Sequence, residues 1–222
     1  NALIQSLDKR IQYQMTDHMV TDTRFSFTYN GQDIDKRKDF NYIRTNIEAA
    51  GNFLYLLSNI FNQKTNKDGQ YEIFNIPYSQ YLRAEFDFIR YFYLNEKSML
   101  VTRVFSGCGY YYGNANGLPY EKSFFAGGAN NNRAWQLREL GPGSSSPQSA
   151  LRFDRAGDIA LGGNIEYRFP ISGIFEGATF IDIGNIWNIN EQKGFEGGQF
   201  EFNDFYKEFA IGGGVGLRLN IQ

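Results

Sequence analysis

Apolar and polar side chains alternate with a period of two in seven separate segments of this chain, and no stretch of comparable length keeps a helical period. Successive side chains leave a strand on opposite sides, so this alternation predicts strands with two unlike faces. In residues 209–221, Phe209, Ile211, Val215, Leu217, Leu219 and Ile221 share one side, whereas Ala210, Gly212, Gly214, Gly216, Arg218 and Asn220 share the other. The same division recurs in residues 24–30, 42–53, 81–88, 100–108, 161–169 and 178–187. Residues 9–14 would make an eighth strand if they also pair. The fold class expected is all-β.

Alternation alone does not say which side meets water, because a soluble sandwich and a membrane barrel share it. Two further features favour the barrel. Short and long connections alternate between the segments, as expected when turns lie on one side of a membrane and loops on the other. Aromatics gather near strand ends, at Tyr91, Phe92 and Tyr93, at Tyr110, Tyr111 and Tyr112, and at Phe205 and Tyr206, where a ring with a polar tip suits the bilayer interface. The composition agrees: 17% of residues are aromatic, and 24 glycines stand against 5 prolines. A mean hydropathy of -0.45 does not exclude a membrane protein, since strands with one polar face average to a hydrophilic value. No apolar run reaches the roughly eighteen residues of a spanning helix. The expectation is a transmembrane antiparallel β-barrel of which seven or eight strands are visible.

Other classes are poorly supported. A net charge of -2 without a basic block gives no footprint for nucleic acid. Cys108 is the single cysteine and His18 the single histidine, which rules out an internal disulfide and a multi-histidine zinc site. Residues after Asn1 lack the pattern of a signal peptide, so the chain is read as a mature or internal segment. Nucleophile elbows, phosphate loops and zinc-protease motifs are missing. Gly212 to Gly216 lies within an alternating strand, where it makes room on the inner wall rather than a nucleotide loop. Asn66, Lys67, Asp68 and Gly69 read as a turn, because Lys64 and Asn75 occupy the positions where a calcium loop needs ligands. His18 reads as an exposed loop residue, and Glu85 and Asp87 as lumenal carboxylates paired with arginines such as Arg83. No set of groups converges on a reaction, so no catalytic residue, metal or cofactor is expected.

The long irregular segment, residues 113–155, is too aromatic between Phe124 and Arg138 for a floppy tail, and is expected to fold onto something. If it turns back into the barrel, Arg133 could reach Glu166 and Asp182 on the polar faces of two successive strands. A planar, permanently charged fork suits that bond. Left in an exposed loop, the same arginine would contribute less than about 1 kcal/mol.

Three ordered motifs carry a family resemblance. Phe125-Ala126-Gly127-Gly128 is followed by Arg133-Ala134-Trp135 and Leu140-Gly141-Pro142-Gly143; then come Gly162-Gly163-Asn164-Ile165-Glu166-Tyr167-Arg168-Phe169-Pro170 and Phe180-Ile181-Asp182-Ile183-Gly184-Asn185-Ile186-Trp187. From about Arg24 onward the chain resembles the C-terminal barrel of the BamA/TamA superfamily of outer-membrane assembly and translocation factors. The resemblance implies a barrel of sixteen strands whose sixth extracellular loop returns into the lumen. Arg133 would be the arginine at its tip, Trp135 the tip aromatic, and Glu166 and Asp182 the wall partners. Ala134 stands where the family usually has glycine, which bears on the tip conformation. Residues 100–112 would be the eleventh strand and 209–221 the fourteenth, so that residues 1–222 form a partial barrel. The last two strands, the first half of the barrel and the POTRA domains would then lie outside the chain, along with the seam between first and last strands at which members are thought to open. Implied with it are a place in the bacterial outer membrane, contact with the bilayer, client outer-membrane proteins and accessory subunits, and no enzymatic activity. The alternatives are a passive pore or structural barrel and a lipid-acting enzyme.

Overall fold

A computed structural model describes residues 13, 16–146 and 155–219. Seven long strands form one antiparallel sheet: β1 (Asp22–Asn30), β2 (Phe40–Ala50), β5 (Tyr81–Tyr93), β6 (Met99–Tyr111), β7 (Ile159–Ser172), β8 (Phe175–Trp187) and β9 (Ala210–Leu219). Each pairs with its neighbour in chain order, so the sheet is a simple meander. A helix α1 (Asn52–Ile60) and a small ribbon of β3 (Glu72–Ile73) and β4 (Ile76–Pro77) interrupt the sequence between β2 and β5. The connections between the seven strands run 9, 30, 5, 47, 2 and 22 residues in order. All long ones therefore leave the same end of the sheet.

The two faces of the sheet invert the usual distribution of a soluble protein. On one, Asp182 is fully buried and Glu48, Asp87 and Glu166 are 2%, 4% and 8% exposed. On the other, Val215, Leu217, Ile211, Phe25, Ile181 and Val104 are each more than half exposed. An apolar face of seven strands open to its surroundings, backed by buried carboxylates, is unstable in water and stable in hydrocarbon. No described helix is long and apolar enough to cross a membrane; the strands are the spanning elements.

Two details depart from the sequence reading. The segment 42–53 is not one strand: β2 ends at Ala50, and Gly51, with φ of 72°, turns the chain into α1. A Cβ at Gly51 would stand 2.3 Å from the Ser79 carbonyl oxygen, so neither the backbone angle nor the space admits another residue. Nine helical residues with clustered apolar positions do not stand out from an alternating background, which is why the periodicity misses them. Trp187, placed by alternation on the exposed side with Ile181 and Ile183, is fully buried. Phe200, Phe205 and Phe209 of the 188–209 connection meet it edge to face, with centroids 5.6 to 6.2 Å away, and its indole N–H donates to Glu208 Oε2 at 2.6 Å. Of residues 9–14 only Tyr13 is described, so the possible eighth strand lies outside the described residues, as do Asn220 and Ile221 of the last segment.

Candidate functional site

The described residues of the longest connection, 112–146 and 155–158, cross the polar face from one side of the sheet to the other. Leu118 packs with Tyr81 and Ala50. The Lys122 ammonium donates to Glu48 Oε1 at 2.5 Å and to Asp22 Oδ2 at 2.9 Å. Arg83 donates to the Lys122 carbonyl at 2.8 Å and lies 4.3 Å from the Phe124 ring centroid. Arg103 holds the Asn130 carbonyl at 2.7 Å, and Asn164 holds that of Asn131 at 2.8 Å. The loop thus touches β1, β2, β5, β6 and β7 before its tip reaches β8 and β9.

The tip is registered row by row on the last three strands. Antiparallel pairing aligns Gly162 with Gly184 and Ala210, then Asn164 with Asp182 and Gly212, then Glu166 with Phe180 and Gly214. Over the first row, a Cβ at Gly184 would meet Asn131 Oδ1 at 3.4 Å, and Asn132 donates to the Ala210 carbonyl at 3.0 Å. Over the second, a Cβ at Gly212 would stand 2.4 Å from that of Ala134. Absent side chains on this strand are therefore what allow the loop to approach. The third row receives the guanidinium.

Arg133 is held on every side. Its Nε and Nη2 donate to Asp182 Oδ2 and Oδ1, both at 2.8 Å, its backbone N–H donates to Oδ2 at 3.0 Å, and Nη1 donates to Glu166 Oε2 at 2.5 Å. The guanidinium carbon lies 3.4 Å from the Phe180 ring centroid, stacked on its face. Asp182 takes a further bond from Asn164 Nδ2 at 2.8 Å. Glu166 Oε1 accepts from Arg168 at 2.7 Å and from Arg218 at 3.1 Å. A forked cation meets one carboxylate bidentately through Nε and Nη2 and a second through Nη1, an arrangement a lysine cannot reproduce.

The other residues singled out from sequence fall as follows. Trp135 packs with the buried cluster of Phe124, Ala126, Leu140, Ala160 and Ile186. Ala134 does not take a positive φ, so this tip has no need of glycine at that position. Glu85 is bonded to Arg83 and Asn46, and Asp87 to Arg44 and Arg103, so the two carboxylates are separately neutralised. Asn66 Oδ1 accepts from the Asp68 and Gln70 backbones at 2.9 Å, which makes that segment a turn. His18 is not an exposed loop residue: its side chain is 9% exposed, stacked on Tyr13 and bonded to Glu121. No group of three or more metal-ligating side chains occurs among the described residues.

The Omp85 superfamily domain matches residues 67–221, more than half of the chain. The chain belongs to the Omp85 superfamily. It is an outer-membrane β-barrel protein. Among solved structures, it is similar to BamA from Haemophilus ducreyi lacking POTRA domains 1–3, with a TM-score of 0.58 and 14% identity over 95% of this chain. The match covers 40% of the BamA chain, so this chain spans less than half the length of that structure. No curated protein sequence matches it significantly.

In this Omp85 chain the residues that sequence reasoning missed are those that support the named ones. Phe180 beneath the guanidinium, Asn164 beside Asp182 and Arg168 and Arg218 beside Glu166 all lie on inward-facing positions of β7 to β9. The alternation contained that signal, since residues two apart from Glu166 and Asp182 must share their face. A second anchor was missed altogether. Glu48, on β2, gathers Arg24 at 2.7 Å, Lys122 at 2.5 Å and the Tyr81 hydroxyl. Nothing in the spacing of residues 48, 81 and 122 links them before the loop is laid across the sheet.

Proposed function

We propose that this chain forms part of the wall, and the lumenal loop, of a sixteen-stranded barrel that promotes the insertion or translocation of client outer-membrane proteins. On this reading residues 112–158 are the extracellular loop that returns into the lumen, Arg133 is the residue that seats it, and Glu166 and Asp182 are its wall partners. The observation that carries the reading is the seating of one loop on all seven strands, with its arginine stacked on Phe180 and bonded to two carboxylates. A loop laid across the polar face leaves little room for free diffusion, which weighs against a passive pore. Among the described residues no nucleophile and base converge on that face, which weighs against a lipid-acting enzyme.

The mechanism would be physical. A barrel held taut by an internal strap keeps a defined shape while its membrane-facing side perturbs the bilayer and its strand edges offer main-chain groups for a client to pair with. POTRA domains and accessory subunits would deliver clients from the periplasm, and no cofactor takes part. The test is Arg133→Ala in the full-length protein within cells. Loss of loop protection from protease together with reduced folding or export of client proteins is the expected result. Unchanged client assembly with a released loop would overturn the reading, as would a large, steady single-channel conductance of the unaltered protein.

A further inference from the structure

Helix α1 carries an apolar stripe for which the protein has no use in its own interior. Phe53, Leu56, Ile60 and the following Phe61 are 68%, 56%, 60% and 76% exposed. Their spacing of three and four residues puts Phe53, Leu56 and Ile60 on one side of the helix. The far side and one flank are bound to the protein. On the far side Ser58 accepts from the Tyr78 hydroxyl at 3.2 Å and Tyr55 meets the Tyr71 ring edge to face, with centroids 5.7 Å apart; on the flank Asn52 Oδ1 accepts from Gln80 at 3.0 Å and from the Tyr112 hydroxyl at 2.8 Å, and Asn59 Oδ1 accepts from the Tyr71 hydroxyl. The helix therefore has a fixed rotation, and the stripe is held outward rather than swept through solvent.

The place of the stripe is given by the strand it follows. Gly51 turns the chain directly from the end of β2 into α1. Phe53 and Leu54 border a cleft of about 210 Å³ shared with Thr21, Thr23 and Ala49. Thr23 and Ala49 pair with each other across β1 and β2, and two positions along each strand come Phe25 and Ile47, which also pair and belong to the exposed apolar face. The stripe thus continues the membrane-facing surface past the end of the strands. No Asp, Glu, Lys or Arg occurs from Gly51 to Gln63.

We infer that α1 lies in the outer boundary of the bilayer with Phe53, Leu56, Ile60 and Phe61 sunk among lipid acyl chains. An amphipathic helix at this depth buries its apolar side about 5 to 10 Å into the headgroup and acyl region. Most such helices add lysines and arginines that draw them to anionic headgroups. This one is uncharged, so burial alone holds it, and it takes lipid of any headgroup charge. By anchoring the 51–80 connection to the bilayer, α1 would fix the height of this side of the barrel relative to the membrane.

The experiment uses the full-length protein in dioleoylphosphatidylcholine vesicles with single nitroxide labels, read by accessibility to oxygen and to a water-soluble nickel chelate. Cys108, exposed on the apolar side of β6, is labelled as the native membrane reference. With Cys108 and any cysteine outside residues 1–222 replaced by Ser, Leu56→Cys and Ile60→Cys are labelled in turn, and Asp68→Cys serves as the aqueous reference. The expected result is an oxygen-to-nickel ratio at residues 56 and 60 close to that at Cys108 and several-fold above that at residue 68, unchanged by added salt. Nickel access equal to that at residue 68 would overturn the inference, since the stripe would then face water. Low access to both reagents would also overturn it, because a second copy or another subunit would then cover the stripe. The Cys108 label reports separately whether the sheet is embedded, so a failure confined to α1 is distinguishable from failure of the membrane assignment.

Discussion

In two places a cation of the long loop is ion-paired to carboxylates of the sheet, and the two are built differently. On β7 to β9, Arg133 is fixed by a bidentate carboxylate, a second carboxylate, its own backbone N–H and an aromatic face. On β1 and β2, Lys122 meets Glu48 and Asp22 as a point charge, with Tyr81 and Arg24 sharing Glu48. The first arrangement specifies orientation, because a planar fork bonds in one plane. The second specifies only position, because an ammonium accepts partners from many directions. On the function proposed above, the tip of the loop needs orientation, whereas nearer its root being tied down suffices.

This contrast can be broken or sharpened by substitution in the full-length protein, with protease protection of the loop and the heat-modified gel shift of the folded barrel as readouts. Asp182→Ala is expected to act most strongly, at about 3 to 5 kcal/mol, because it removes the acceptor of three Arg133 donors and one Asn164 donor within a buried site. Release of the tip together with lowered barrel stability is the outcome; full protection would show that Glu166 alone suffices. Glu48→Ala should come next, at about 3 kcal/mol, since it leaves the Lys122 ammonium with Asp22. It should expose the loop root to protease while the tip stays protected, and simultaneous cleavage at both places would refute their independence.

Gly212→Val tests shape rather than charge. The added side chain would collide with Ala134, at a cost of about 1 to 3 kcal/mol, and paired with Ala134→Gly it should be partly rescued. Failure of that rescue would place the strain elsewhere. Arg133→Lys keeps the charge but loses the fork and the stacking, and should cost about 1 to 2 kcal/mol; Lys122→Arg, its mirror at the other anchor, should change protection little. The smallest effect is expected at Arg24, whose side chain is 52% exposed. Arg24→Ala should lower stability by less than about 1 kcal/mol, and added salt should erase even that.

The regions of the molecule were not equally legible. Strands β5 to β9 stand out in the alternation because a segment of eight or more residues in each divides into one greasy and one polar side, and a periodic signal of that length, repeated five times, is hard to mistake. Residues 51–60 gave no such signal, and the helix there owes its place to Gly51 and to polar contacts with Tyr71, Tyr78 and Gln80, all distant in sequence. Trp187 misled for a related reason. Alternation tells which side of the sheet a residue occupies, but not whether a later loop will fold over it.

Local sequence by itself determined the strands, their two unlike faces and the rhythm of short and long connections, since these depend only on neighbours along the chain and on the direction in which successive side chains point. It also supplied Arg133, Glu166 and Asp182 as names, through motifs rather than through geometry. Which residues support those three, that Glu48 and Lys122 form a second anchor, and that α1 turns its apolar stripe outward were decided only by the tertiary structure. The physical reason is range: a hydrogen bond across the sheet joins positions whose separation along the chain carries no information until strand register and loop path bring them together.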